Sequence, residues 1–385
     1  MGIKDLFKVI NRICPDQVLE FSLSEWGSCS FAIDVSIFLY KTIKTMGDDW
    51  AKYFMKMLIS LKKNNIKAVC IFDGPNPPEE KKQEQFERRA AAEKAVSRMD
   101  ECRKLKRLIE EKYLYNDEFL PENIQEKAKS LIGTQFKNLS KIMYSQPLEV
   151  YNQLEAVRSK LEKQTAPITD KHRSDAWKIV ELLGMSAYQA DGEAETLCAS
   201  MAIHGLVDAV LTEDTDVMAY GAPWFLAYRS FKIPDEKICG IYMPNLLEAM
   251  GYTMDEFRDL CIMLGCDYNS RVKGYPPDGK KYKKPTPLGE AKVTCMIDEY
   301  RTIEAMEPYI EDIEPLKYER CRFLFTPYPK EEIDFIIPLN TKPNFDDIEK
   351  FLIENGINYS TSEFRKYWDA KRIIIEDSCS EDSDD

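Results

Sequence analysis

The chain has 385 residues, 44% hydrophobic and 31% charged, enough apolar content to bury a sizeable core and too much for a disordered chain. Its formal charge is −13, from 53 Lys and Arg against 66 Asp and Glu, which taken alone argues against a nucleic-acid binder. No run of 18 apolar residues occurs, so no membrane span is expected.

Eleven cysteines without a CxxC and only two histidines, His172 and His204, argue against a zinc site of the Cys/His kind. Free thiols imply a reducing compartment. The charge is unevenly spread. The tail Glu376–Asp385 carries six acids and no base, whereas Lys81–Arg107 holds ten Lys/Arg against five Asp/Glu and Arg271–Lys284 six against one. An acidic protein with two concentrated basic segments can still grip phosphates locally.

In chain order, Ser30–Tyr40 opens as a buried strand. Apolar spacing predicts a helix over Asp48–Asn64, and Lys67–Gly74 reads as a second strand ending in Asp-Gly. Strand, helix, strand implies a parallel sheet. Glu79–Arg107, charged, Ala-rich and Gly-free, predicts a long solvated helix. Polar helical pieces follow over 113–167, broken near Pro121 and Pro147, so residues 75–170 read as an insertion between two halves of one sheet domain, 1–74 and 171–254. The sheet resumes with a helix over Asp175–Leu183, a short strand at Met185–Ala187, a helix over Gly192–His204 and a strand at Asp208–Leu211. Helices over Asp255–Leu264 and Gly289–Tyr300 flank a basic Pro/Gly-rich loop. Residues 301–375 read as helical and mixed, and 376–385 as a disordered tail.

The position of the carboxylates carries the chemistry. Asp34 follows FAI, Asp73 follows VCIF, and Asp214 and Asp216 follow AVL. In a parallel sheet such strand ends lie side by side at the carboxyl edge. Glu193 and Glu195 begin a helix beside that edge, and Asp267 follows a buried helix. Any one of these is as readily a cap or turn residue; seven together are hard to explain as caps. Converging without bases they would repel, and their pKa values would rise, unless cations sat among them. Oxygen-only ligands suit Mg²⁺ or Mn²⁺, and the number of acids suits two ions about 4 Å apart for phosphoryl transfer. Lys81 and Arg88 lie two turns apart on one helix face, and Lys82 and Arg89 repeat the spacing; either pair could neutralise a scissile phosphate. In the loop, Arg271, Lys273, Lys280, Lys281, Lys283 and Lys284, with Lys292 beyond it, suit backbone phosphate contacts. Gly274–Lys280 is not a P-loop, because Lys281 replaces the required Ser/Thr and two prolines remove amide donors.

MGIKDL, AIDVSIFLY at 32–40, IFDGPNPP at 71–78, ERRAAAEK at 87–94, ADGEAETLCA at 190–199, TEDTDVMAYG at 212–221 and FRDLCIMLGCDY at 257–268 resemble the flap endonuclease, or XPG-type, family of structure-specific 5′ nucleases. The resemblance implies a PIN-like α/β core, with a mostly parallel sheet flanked by helices, a helical arch over 75–170 and a helix–two-turn–helix module over 255–300. It implies that Asp34, Asp73, Glu193, Glu195, Asp214, Asp216 and Asp267 hold two Mg²⁺ ions, with Mn²⁺ as a substitute, and that K⁺ binds at the module. Lys81 and Arg88 correspond to the arch residues on the scissile phosphate, with Lys82 and Arg89 as substitutes if the register shifts. Tyr40 corresponds to an aromatic stacking on a base, and Gly2 to the glycine near the DNA. The implied activity is cleavage of 5′ flaps or related branched DNA in replication and repair. The alternatives are a 5′–3′ exonuclease or Holliday-junction resolvase of the same family and, from another class, a non-catalytic DNA-binding scaffold. A monomer is expected, in the nucleus or, for a viral chain, at a cytoplasmic replication site. The arch segment is longer than is typical for the family, a basic insertion interrupts the two-turn segment, and no sliding-clamp motif lies near the C-terminus.

Overall fold

A computed structural model of the chain describes residues 2–115, 119–133, 146–228, 237–277 and 284–370, apart from the side chains of 83–85. Among the described residues, seven strands form one sheet: β1 (Leu19–Ser22), β2 (Ser30–Asp34), β3 (Lys67–Phe72), β4 (Ser186–Gln189), β5 (Ala209–Leu211), β6 (Trp224–Tyr228) and β7 (Lys237–Tyr242). Their order is β1-β7-β6-β5-β2-β3-β4. β2 to β6 run parallel, and β1 and β7 add antiparallel pairings at one side. A β2 buried on both faces explains its unbroken apolar run: Phe31, Ala32 and Ile33 have no exposure.

The helices before the insertion are α1 (Leu6–Ile13), α2 (Val35–Met46) and α3 (Trp50–Lys63). The next three are α4 (Lys81–Lys112), α5 (Glu122–Ile132) and α6 (Pro147–Thr165). Pro121 stands at the N-cap of α5 and Pro147 in the first turn of α6, where a missing N–H costs nothing. The sheet half resumes with α7 (Asp170–Leu182), α8 (Ala194–Ile203) and α9 (Asp216–Tyr220). Thr169 caps α7 by accepting from the His172 N–H, so that helix starts five residues before the predicted Asp175. There follow α10 (Met243–Met250), α11 (Met254–Leu264), a hairpin of β8 (Lys273–Gly274) and β9 (Thr286–Pro287), α12 (Glu290–Tyr300), α13 (Ile303–Met306), α14 (Tyr318–Leu324) and α15 (Phe345–Glu354). Among the described residues, no helix is long and apolar enough to cross a membrane.

The described chain divides into two compact units. One comprises residues up to 42, 49–81 and from 169 onward; the other comprises 43–48 and 82–168. The first has the sheet and its main core, which runs from Leu6 and Val9 through Val210 and Leu260 to Phe325. The second has a core of its own, in which Leu105, Ile109, Ile132, Val150 and Leu154 are buried between α4, α5 and α6.

Sequence periodicity missed β1, β6 and β7. Trp224–Tyr228 is a short continuous apolar run, which as readily belongs to a buried helix. The predicted helix Glu79–Arg107 runs instead from Lys81 to Lys112.

Candidate metal centre

Topology brings the carboxylates together. β2 lies between β5 and β3, so Asp34, Asp73 and the 212–216 turn leave the sheet at neighbouring positions. Asp34 is the last residue of β2 and buried; it accepts from the Ile37 N–H at 3.4 Å and from Thr212 Oγ1 at 3.2 Å. Asp73 accepts from the Ala194 N–H at 3.0 Å. It thereby caps α8 from across the fold, while Glu193, the residue at the N-cap position, makes no side-chain cap. Glu193 is thus left to face Lys81.

Glu195, Asp214 and Asp216 form the tightest group, with one oxygen of each within 4.8 Å of the others. All three are buried. The Tyr268 hydroxyl donates to Glu195 Oε1 at 3.0 Å. The Asp216 N–H donates to Asp214 Oδ1 at 3.3 Å, and the Asp214 N–H donates to Thr212 Oγ1 at 3.0 Å. Both carboxylate oxygens of Asp216 are buried and have no hydrogen-bond partner among the described residues.

Lys81 enters this cluster. Its Nζ lies 2.6 Å from Glu193, 3.5 Å from Glu195 and 3.9 Å from Asp267. Burial opposes its charge, but Glu195, Glu193 and Asp267 outweigh burial and hold the amine protonated well above its usual range. The acids respond the other way. Burial, with Asp73 and Asp214 nearby, pushes the Asp34 carboxyl well above the usual range. Burial and Asp214 do the same to Asp216. Burial raises Glu193 and Glu195 to about 7 despite Lys81 beside them. A buried, unpartnered carboxylate within an all-oxygen set fits a hard divalent cation, which supplies the missing positive charge.

Gly2 packs against this group with φ of 81°; a Cβ there would fall 2.1 Å from Asp214 Oδ1 and 2.8 Å from Asp216 Oδ1. Tyr40 lies on α2, 40% exposed. Lys82, Arg88 and Arg89 are exposed on α4 in the second unit. Arg271 donates to the Leu264 carbonyl at 2.6 Å and to Asp5 at 2.5 Å, fastening the N-terminal segment to the end of α11. Lys292 donates to Thr286 Oγ1 at 2.8 Å. Lys273 and Lys284 are exposed, and Lys280, Lys281 and Lys283 lie outside the described residues. Sequence reasoning missed Tyr268, Thr212 and the ion pair of Lys41 with Glu213. Tyr268 adjoins Asp267, but nothing local says that its hydroxyl serves Glu195.

A mostly parallel α/β sheet with buried acids at its carboxyl edge and a lysine among them is an arrangement that could hold a metal ion beside a phosphate. The XPG N-terminal domain model matches residues 1–95, and the XPG I-region model matches 184–267. Flap endonuclease 1 of Entamoeba histolytica is 28% identical over 375 residues, 92% of this chain and 83% of that protein. The catalytic core of Rad2 in complex with DNA substrate superposes with a TM-score of 0.59 at 14% identity, over 95% of this chain and 98% of that one. The flap endonuclease-1 from Methanococcus jannaschii gives 0.53 at 18%, over 92% and 95%. The chain thus contains the XPG N-terminal domain and the XPG I-region, and it is similar to flap endonucleases along most of its length.

Proposed function

We propose that the chain is a Mg²⁺-dependent structure-specific nuclease that hydrolyses a phosphodiester at 5′ flaps or related branched DNA. The observation that carries this reading is the buried group of Glu195, Asp214 and Asp216, with both Asp216 oxygens unpartnered and Lys81 held charged beside Glu193. Asp34, Asp73, Glu193 and Asp267 complete the set of residues that would hold the ions. When bound, two divalent cations would supply an activated water and charge neutralisation at the leaving oxygen. The protein itself keeps Lys81 protonated so that its ammonium faces a phosphate oxygen as negative charge builds there. Tyr268 and Thr212 orient Glu195 and Asp34 by hydrogen bonds to them.

Mg²⁺ is favoured over transition metals by the oxygen-only donors, with Mn²⁺ as a working substitute. The α11–hairpin–α12 module holds duplex backbone in this reading, with K⁺ as its ion. DNA as substrate puts the protein in the nucleus, or at a cytoplasmic replication site for a viral chain, and it acts as a monomer.

Cleavage of a 5′-labelled flap duplex with Mg²⁺ or EDTA, wild type against Asp214→Ala, tests the proposal. A Mg²⁺-dependent cut near the flap base, lost in the variant, is expected. Equal activity in the variant would refute the site. Tight binding by wild type without cleavage would move the reading to four-way junctions or to a scaffold.

A further inference from the structure

Residues 318–325 lie outside both matched sequence regions, yet three of them meet groups adjoining different parts of the metal centre. We propose that α14 and its C-cap residue Phe325 form a strut that positions the centre, with Arg320, Arg322 and Phe325 acting through Glu80, Asp259 and Tyr268. The inference rests on the nuclease reading for its kinetic arm only.

Arg320 Nε donates to Glu80 Oε1 at 2.8 Å. Glu80 directly precedes Lys81, so this pair fixes the chain just where α4 begins and where the lysine turns into the cluster. Arg322 donates from Nε and Nη2 to the two oxygens of Asp259, at 2.8 and 2.6 Å. Asp259 is only 2% exposed and sits within α11, the helix that leads to Asp267. A bidentate pair of this kind, its carboxylate buried and its arginine partly exposed, sets orientation as well as energy.

Phe325, with no exposure, sets its ring edge-on to Tyr220 at 5.3 Å and to Tyr268 at 5.6 Å. Tyr268 donates to Glu195, and the Tyr220 hydroxyl lies 2.7 Å from that of Thr196, the next residue of α8. The three rings therefore back the turn of α8 that presents Glu195. Helical spacing explains how one short element does this. Cys321 and Phe325 are four apart and share the core face, while Arg320 and Arg322, two apart, reach different sides.

Packing alone would make α14 a stability element; the Arg320–Glu80 pair separates the two roles. Arg320 is 47% exposed and Glu80 15%, so water screens the pair in part and its share of stability is modest; melting temperature, read beside rate, separates a loss of placement from a loss of stability. In the full-length protein, Arg320→Glu and Glu80→Arg are compared singly and together for kcat and KM on the flap and for melting temperature. Mn²⁺ titration without DNA, followed by its electron paramagnetic resonance signal, compares Tyr268→Phe with wild type. Expected are a loss in kcat of about tenfold or more in each single variant at unchanged KM and melting temperature, and recovery to within about threefold in the double variant. Tyr268→Phe should weaken Mn²⁺ binding by about tenfold. Unchanged kcat in the singles, loss that follows melting temperature, or no recovery in the double would overturn the strut. If wild type does not cut, the nuclease reading fails, and the Mn²⁺ arm alone decides: equal affinity in Tyr268→Phe rejects the proposal.

Discussion

Lys81 Nζ lies 2.6 Å from Glu193 Oε2, so the first residue of a 32-residue helix delivers its charge to the carboxyl edge of the sheet. Its neighbour Lys82 is exposed. Lys81→Ala is therefore expected to lower kcat by about 10²–10³ with little change in KM, the loss typical of one group that stabilises transition-state charge. Lys82→Ala should cost far less. Single-turnover cleavage of both variants settles which lysine serves the phosphate.

Asp216 is fully buried with neither oxygen partnered, and the acids around it strain the metal-free protein. Glu193 and Glu195, raised to about 7 from 4.5, bind more protons folded than unfolded. Their contribution is thus most favourable below the unfolded value and is lost as pH rises through about 7. Asp216→Asn should abolish cleavage yet melt higher than wild type in EDTA, with a gap that widens from pH 5 to pH 8. Mg²⁺ should close the gap by stabilising only wild type. Calorimetry at the two pH values checks this; a gap that narrows would contradict the assigned shifts.

Gly2 leaves no room for a side chain beside Asp214. Gly2→Ala would push that carboxylate aside or move the chain end, and its positive φ adds strain. Weaker Mn²⁺ binding by about tenfold is expected, as for other groups that orient ligands, with melting temperature little changed. A titration without DNA reads it.

The helical unit has a core of its own, in which Leu154 is completely buried. Leu154→Ala should cost that core about 2–5 kcal/mol. Amide exchange should accelerate over 122–132 and 147–165. Next to it, hydrogen bonds from Arg158 and Lys106 hold the Glu155 carboxyl down at about 2. Its contribution is present above the unfolded value of 4.5 and fades as pH falls through about 2. Glu155→Gln should flatten the acid side of this unit's stability profile; because the side chain is 35% exposed, the effect is modest.

Much of the centre was legible in the residues alone. Asp34, Asp73, Asp214 and Asp216 each end or closely follow a short apolar run bounded by polar or turn residues, a pattern that suits a buried strand. Glu193 and Glu195 open a helix, and Asp267 follows one. These are local patterns, set by the burial preference of a few consecutive side chains. What was not legible depends on residues far apart in the chain. That Asp73 caps α8 and frees Glu193, that Lys81 rather than Lys82 enters the acids, and that Tyr268 holds Glu195 all follow from which strands pair and which helix faces pack. β1, β6 and β7 were missed for the same reason, since a short apolar run acquires strand identity only from its neighbours in the sheet. The sequence by itself determined the chemistry available to this protein, because residue types and local periodicity are written in it. Only the tertiary structure decided which groups meet, because hydrogen bonds and charges act over a few ångströms between atoms that packing alone brings together.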